Sequence, residues 1–206
     1  MGGYVTIPTG FASRRTRVPL FVSEQNASAG LASRVASRWA SRTFGSFPET
    51  EGLPGAEWVG NPVRRPFWDF DRDQLRGMAL ERYGLDPRSP VVGVFGGSLG
   101  SGVINQAIDD LAATWDGPHI QIVHIVGERF YEGSSSILVG AAFSRLAIGF
   151  ETAMEEFYAA SDLVIARAGG AVAELTATAT PSILIPGRFG SAGHQEGNAR
   201  FLAESG

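Results

Sequence analysis

The sequence predicts an α/β chain built on a parallel, doubly wound sheet, and three observations carry that prediction. From Pro90 onward, short apolar runs alternate with amphipathic stretches. The runs read as strands buried on both faces, the hallmark of a parallel sheet covered by helices. Each unusual loop falls between a run and the stretch that follows it, where such sheets carry their ligand crevice.

In order, the second half reads PVVGVFGG (strand) with VINQAIDDLAATW (helix), then HIQIVHIVG (strand), then RLAIGF (strand) with TAMEEFYAAS (helix). DLVIARAGG and AVAELTATA make the next strand and helix, and PSILIPG and HQEGNARFLAES the last pair. The region is a Rossmann-like domain. In the first half VTIPTGFASRRT reads as a helix, VPLFVSE as a strand, SAGLASRVASRWA as a helix and RTFGSF as a second strand. Two strands and two helices bury too little apolar surface to close a core, so this region reads as the back half of another α/β domain. GNPVRRPF reads as an extended connector, because each proline disfavours helix in the residue before it. The expected division is residues 1–59, a linker at 60–68, and a domain at 69–206.

Composition narrows the function classes. Apolar residues at 44% and charged residues at 18% are ordinary for a globular chain and argue against disorder. No apolar run approaches the length of a membrane span. A formal charge of −4 argues against a nucleic-acid binder. Without cysteine there is no disulfide and no thiolate metal site, and no acidic or histidine cluster has metal-ligand spacing, so neither metal nor cofactor is expected. All 17 basic residues are arginine.

Five loops carry the candidate chemistry. Gly2 and Gly3, in MGGYVTIP, let a ligand approach the backbone closely. GGSLGS, Gly96 to Ser101, brings backbone N–H groups to a helix start, where phosphate is attracted; a packing turn explains it equally well. The same residues match the G-x-S-x-G nucleophile elbow, with Ser98 as nucleophile and Asp162 and His194 following in hydrolase order. In RAGGAVAEL, Glu174 sits one turn inside a helix, placed for both hydroxyls of a ribose or merely to complement the helix dipole. In HQEGNA, Gln195 and Asn198 share a helix face, and amides facing a crevice suit sugar hydroxyls. In SEQNASAG, Glu24, Gln25 and Asn26 stand at the strand's binding edge, with an ordinary helix cap as the plainer explanation.

These pieces occur in order along one family. With SFPET, GNPVR, HIVG and GFETAMEEFYAASDLVIARAG added, the sequence resembles the MurG family of glycosyltransferase family 28. That resemblance implies a GT-B fold of two Rossmann-like domains, the first only partly present. It implies transfer of N-acetylglucosamine from UDP-N-acetylglucosamine (UDP-GlcNAc) to the muramoyl 4-hydroxyl of undecaprenyl-pyrophosphoryl-MurNAc-pentapeptide, converting lipid I to lipid II with inversion. Other GT-B UDP-sugar enzymes, such as a UDP-GlcNAc 2-epimerase, and a non-catalytic UDP-sugar binding module are the rivals.

The resemblance also implies roles. Gly2, Gly3 and Tyr4 would hold the acceptor's pyrophosphate. Gly97 and Ser98 would meet the UDP phosphates, which displaces the nucleophile reading, and Arg64 would supply a cation beside them. The main chain at Glu151 would read the uracil edge, with Met154 packed nearby. Gly170 and Ala171 would offer amides, Glu174 would take the ribose hydroxyls, and Gln195 would bind the GlcNAc ring, with Asn26 reaching it as well. The family's G-G-T-G-G-H loop, home of its candidate base, and its last strand are expected outside this sequence, so the chain reads as an inactive fragment. Three residues or spacings depart from the pattern: Ser23 for histidine, Leu99 for glutamine, and RAGGAVAEL one residue shorter than R-S-G-A-x-T-x-x-E. The implied setting is the cytoplasmic face of the cell membrane. Arg14, Arg15 and Arg17, beside Phe11 on a helix end, are the expected contact with anionic lipid.

Overall fold

The computed structural model describes residues 5–133, 137–139, 142–187 and 193–205; Gly2, Gly3 and Tyr4 lie outside the described residues. The chain forms two compact units. The first comprises residues 1–62, 168–173 and 186–206, and the second 63–167 and 174–185.

The first unit opens with α1 (Thr6–Thr16), β1 (Phe21–Glu24), α2 (Leu31–Ala36), β2 (Arg42–Gly45) and β3 (Glu57–Trp58). The strands form a parallel sheet in the order β1-β2-β3. The helix expected over SAGLASRVASRWA is α2 followed by a 3₁₀ turn at Ser37–Trp39. β3 is two exposed residues with no hydrophobic signature, so only its partner β2 makes it a strand.

The second unit holds α3 (Arg72–Tyr83), β4 (Val91–Phe95), α4 (Gly102–Thr114), β5 (Ile120–Ile125), β6 (Ile137–Val139), β7 (Phe143–Ile148), α5 (Met154–Ala160) and β8 (Leu163–Ala166). β9 (Ser182–Leu184) also belongs to it, while α6 (Ala171–Ala177) begins in the first unit and ends in the second. The last element, α7 (His194–Ser205), belongs to the first unit. The sheet order is β6-β7-β5-β4-β8-β9, parallel except for β6, which pairs antiparallel with β7. The expectation of an all-parallel sheet is corrected at that edge. The order reverses direction at β4, so the crevice of a doubly wound sheet opens beyond its carboxyl end.

Val94, Ile104, Ile108, Ile122 and Phe143 form one buried cluster, the inner stripe of α4 against β4, β5 and β7. Phe95, Phe157 and Tyr158 pack edge to face nearby, with ring centroids 5.6–6.2 Å apart. The helix α3 has no counterpart in the sequence reading, although its signals are present. Asp71 caps it, accepting from the Gln74 N–H at 3.2 Å, and Gly84 follows its last turn in the left-handed conformation. Its arginines terminate α5: Arg72 donates to the Tyr158 and Ser161 carbonyls, each at 2.7 Å, and Arg76 to those of Ala159 and Ala160. Cations there satisfy carbonyls that no helical N–H can reach. The connector GNPVRRPF is not extended throughout, because Arg65–Phe67 form a 3₁₀ turn. Pro66 fits such a first turn, where its missing N–H costs nothing.

In the first unit α7 is held by Asn198, which is 2% exposed. Its carbonyl accepts from the Ala27 N–H at 2.9 Å, and its amide donates to Asn26 Oδ1 at 3.2 Å and the Ala168 carbonyl at 3.0 Å. Phe201 packs edge-on against Phe47 at 5.0 Å. These contacts hold α7 within the first unit.

Candidate functional site

A cavity of about 380 Å³ opens in the second unit at the carboxyl ends of β4, β5 and β7. Phe95, Gly97 and Ser98 line it after β4, Ile125 ends β5, and Phe150, Glu151, Thr152 and Met154 follow β7. Arg64 and Glu174 complete it. Six of the predicted donor residues therefore meet in one place.

The loop after β4 is shaped by close backbone packing. Gly100 has φ +72°, and a Cβ there would overlap the Val126 carbonyl; Gly127, at φ +92°, would place one 2.6 Å from the Gly100 Cα. Only glycine permits the two loops to approach this closely. Ser101 then caps α4, its hydroxyl accepting from the Ile104 N–H at 3.4 Å and from Arg167 Nη2 at 2.8 Å. The loop thus leads into a helix amino end reinforced by a cation, which favours negative charge. Arg167 was missed in the sequence, although its place just after β8 was a signal.

Arg64 and Glu174 oppose each other. Arg64 Nη1 donates to the Thr152 carbonyl at 2.9 Å, its guanidinium lies 5.3 Å from the Phe67 ring centre, and Nε is 3.8 Å from Glu174 Oε1. The other carboxylate oxygen accepts from the hydroxyl of buried Tyr158 at 2.9 Å. Burial first, and the neighbouring Glu174 carboxylate second, push the Tyr158 phenol far above its ordinary value, so it stays a donor. Tyr158 is a further site residue that sequence reasoning passed over.

Glu151 lines the cavity, but its carboxylate is engaged elsewhere. Its side chain is buried, accepting from Tyr83 Oη at 2.7 Å, Arg82 Nη2 at 2.9 Å and the Ala153 N–H at 2.7 Å. Burial opposes its charge, but these hydrogen bonds and Arg82 outweigh that cost and hold the carboxyl below its ordinary value.

The remaining predicted residues lie in the first unit. Gly170 and Ala171 stand at the start of α6, where the Gly170 carbonyl accepts from the Ala173 N–H at 3.2 Å. Gln195 Oε1 accepts from the Gly187 N–H at 2.8 Å. Asn26 is engaged at both ends of its amide, donating to Glu24 Oε1 at 2.8 Å and accepting from Asn198. Asn198 is not a crevice amide as expected, because burial and three partners commit it to packing. Glu24 is likewise 5% exposed, its carboxylate taking the N–H groups of Gln25, Asn26 and Gly30. Burial opposes its charge, yet these donors and Ser33 hold its carboxyl below the ordinary value.

The Ser98–Asp162–His194 hydrolase arrangement is contradicted. Ser98 follows the carboxyl end of β4, whereas Asp162 sits at the amino end, accepting from the Val91 N–H at 2.9 Å and paired with Arg76 at 2.7 Å. The length of β4 separates them, on the order of 15 Å. Among the described residues no group of three or more histidine, cysteine, aspartate or glutamate side chains is placed to hold a metal.

Residues 91–206 match the model of the glycosyltransferase family 28 C-terminal domain, and residues 1–45 that of the family's N-terminal domain. The chain belongs to glycosyltransferase family 28. A curated relative from Clavibacter sepedonicus is 38% identical over 206 residues, covering 100% of this chain and 54% of its own length. One from Mycolicibacterium paratuberculosis is 37% identical over 211 residues, covering 100% and 51%. Both are named UDP-N-acetylglucosamine--N-acetylmuramyl-(pentapeptide) pyrophosphoryl-undecaprenol N-acetylglucosamine transferase. The crystal structure of Acinetobacter baumannii MurG aligns at TM-score 0.73 and 27% identity, over 99% of this chain and 56% of that one. UDP-GlcNAc 2-epimerase from Neisseria meningitidis, solved with UDP-GlcNAc bound, aligns at TM-score 0.54 and 12% identity, over 96% and 64%, and shares the fold alone. The α/β architecture is of the GT-B type. The chain spans about half the length of the curated relatives it matches.

Proposed function

We propose that this family 28 chain handles UDP-GlcNAc for an inverting transfer to the muramoyl 4-hydroxyl of undecaprenyl-pyrophosphoryl-MurNAc-pentapeptide, the lipid I to lipid II step of peptidoglycan synthesis. The observation that carries this reading is the pairing of Arg64 and Glu174 across one cavity whose floor is a glycine loop at the start of a helix. A nucleoside diphosphate needs those three features together: a carboxylate for ribose hydroxyls, a cation, and amides for phosphate. The names of the relatives supply the sugar and the acceptor.

In this reading Phe95, Ile125, Phe150 and Met154 give the uracil an apolar wall, and the backbone at Glu151 meets its polar edge. The Ser98 hydroxyl, the Gly97 backbone and the amino end of α4 hold the diphosphate, with Gly170 and Ala171 offering further amides. Gln195 and Asn26 take sugar hydroxyls. The acceptor hydroxyl attacks C1 as the bond from C1 to the phosphate oxygen breaks, its proton passing to a general base and the pair of electrons leaving with UDP. Charge developing on the departing diphosphate is stabilised by the loop and helix dipole. Gly2, Gly3 and Tyr4 would hold the acceptor's pyrophosphate.

The sequence division into residues 1–59, 60–68 and 69–206 remains part of this proposal, the first stretch serving the acceptor and the last the donor. The acceptor is lipid-anchored, so the enzyme would work peripherally at the cytoplasmic face of the membrane. Among the described residues no helix is long and apolar enough to cross one. Arg14 and Arg15 occupy the last turn of α1 and Arg17 caps it, with Phe11 and Val18 exposed alongside.

Isothermal titration of the chain with UDP-GlcNAc and UDP tests the cavity; saturable binding of both is expected, and binding of neither overturns the reading. A lipid I analogue with labelled UDP-GlcNAc, assayed on the product of the complete reading frame, tests the transfer. UDP release without label on the analogue overturns it.

A further inference from the structure

A second cavity, of about 520 Å³, lies in the first unit and shares no residue with the donor cavity. Arg14 and Arg17 line it from the end of α1, Arg38 from the 3₁₀ turn after α2, and Ser13, Trp39 and Ser41 complete its polar and aromatic surface. Among the described residues none of the three arginines has a carboxylate partner. The groove's wall is built closely. A Cβ on Gly10 would come within 2.9 Å of the Trp39 ring, so α1 seats directly on that indole.

Arg17 supplies the independent observation. It has φ +60° and ψ +23°, the left-handed conformation that a side chain adopts at a cost and that helices ordinarily give to glycine. An arginine therefore stands where a glycine would be more stable, and it lines the groove. A residue held in an unfavourable backbone state points to a function for its side chain. The plain alternative is that these cations only complement the carboxyl end of α1. That end carries about half an elementary charge, which Arg15 and Arg14 in the last turn already exceed. Arg17 and Arg38 are left over.

We propose that this groove binds a phosphate group, a monoester or diester, held by the guanidinium groups of Arg14, Arg17 and Arg38. Planar guanidinium forks suit phosphate oxygens, and three arginines lining one groove match an anion's charge. The phosphate comes from solution or from a phospholipid headgroup. Only the second source rests on the peripheral-membrane proposal; the site itself does not.

The test uses the full chain and two probes: inorganic phosphate by isothermal titration, and phosphatidylcholine vesicles with or without phosphatidylglycerol by cosedimentation. Arg17→Gly removes the guanidinium and relieves the left-handed strain, so the two effects have opposite signs. The thermal midpoint should rise by about 2–4 °C, while phosphate affinity falls about ten-fold or more. Arg38→Gln should lose affinity similarly without the gain in stability. Arg200→Gln, the same charge change at an exposed position of α7 outside the groove, should leave phosphate affinity within about two-fold of the parent.

Unchanged phosphate affinity in both Arg17→Gly and Arg38→Gln overturns the site. Equal loss in Arg200→Gln also overturns it, because diffuse charge would then suffice. Loss of both phosphate and phosphatidylglycerol-vesicle binding supports the site with a headgroup as its ligand. Loss of phosphate binding with vesicle binding intact supports it with a soluble phosphate, and refutes the membrane proposal at this groove alone.

Discussion

The phenol of Tyr158 donates a 2.9 Å hydrogen bond to Glu174, sixteen residues away, and leaves the other oxygen of that carboxylate facing Arg64. The carboxylate is therefore oriented from behind by a buried group and from the side by a cation. A ligand hydroxyl meets an acceptor already fixed in direction, which lowers the ordering cost of binding.

Glu174→Ala removes the proposed ribose acceptor and also strands the buried Tyr158 hydroxyl. UDP affinity should fall by about 1–3 kcal/mol, and stability by a similar ~1–3 kcal/mol. Glu174→Gln keeps an acceptor for Tyr158 and should lose UDP affinity with little change in melting temperature. Titration calorimetry and thermal melts on both variants check this. Unaltered UDP affinity in Glu174→Gln would return the residue to its helix-dipole role.

Gln195 is proposed to face the sugar, while its carbonyl end holds the Gly187 N–H. Gln195→Ala should weaken UDP-GlcNAc binding by about 1 kcal/mol or more and leave UDP binding unchanged. Equal losses for both ligands in parallel titrations would contradict the assignment.

His124 is fully buried, its Nε2 lying 3.0 Å from Asn105 Oδ1. Burial, with Arg145 contributing, pushes its pKa down to about 3. The unfolded chain, whose histidine titrates near its ordinary ~6.5, then binds more protons than the folded one across that interval. Stability from this group is complete above about pH 6.5 and falls toward pH 3, by up to about 1.4 kcal/mol per pH unit. His124→Gln should flatten that limb in denaturant titrations at several pH values. A parent whose stability is level from pH 6.5 to 4 would refute the prediction.

Asn198→Ala leaves the Ala27 N–H, Asn26 Oδ1 and the Ala168 carbonyl without their shared partner. A loss of about 2–4 kcal/mol is expected from buried groups left unpaired. Chemical denaturation measures it. A change below about 0.5 kcal/mol would mean that water replaces the amide.

Much of the fold was legible because its elements are locally periodic. PVVGVFGG, HIQIVHIVG and DLVIARAGG are apolar runs too short for helices, and β4, β5 and β8 fall inside them. HQEGNARFLAES, read as a helix, is α7 residue for residue. The misses have different causes. Asp71, Gly84 and the apolar positions Leu75, Ala79, Leu80 and Tyr83 mark α3 in the sequence as plainly as any helix. β3 and the antiparallel pairing of β6 were not legible, because two or three residues become a strand only through a neighbour's hydrogen bonds.

The sequence by itself determined where backbone amides and carboxylates gather. Glycines and a following amphipathic helix are local features, so the Gly97–Ser98 loop and Glu174 were visible without coordinates. Only the tertiary structure decided what each side chain is spent on. Glu151 meets Tyr83 at a sequence separation of 68, Arg64 meets Thr152 at 88, and Asn198 meets Asn26 at 172. A polar side chain near a crevice binds a ligand or satisfies a buried neighbour according to which donors lie within about 3 Å. That distance is set by how helices pack on the sheet, and no spacing along the chain records it.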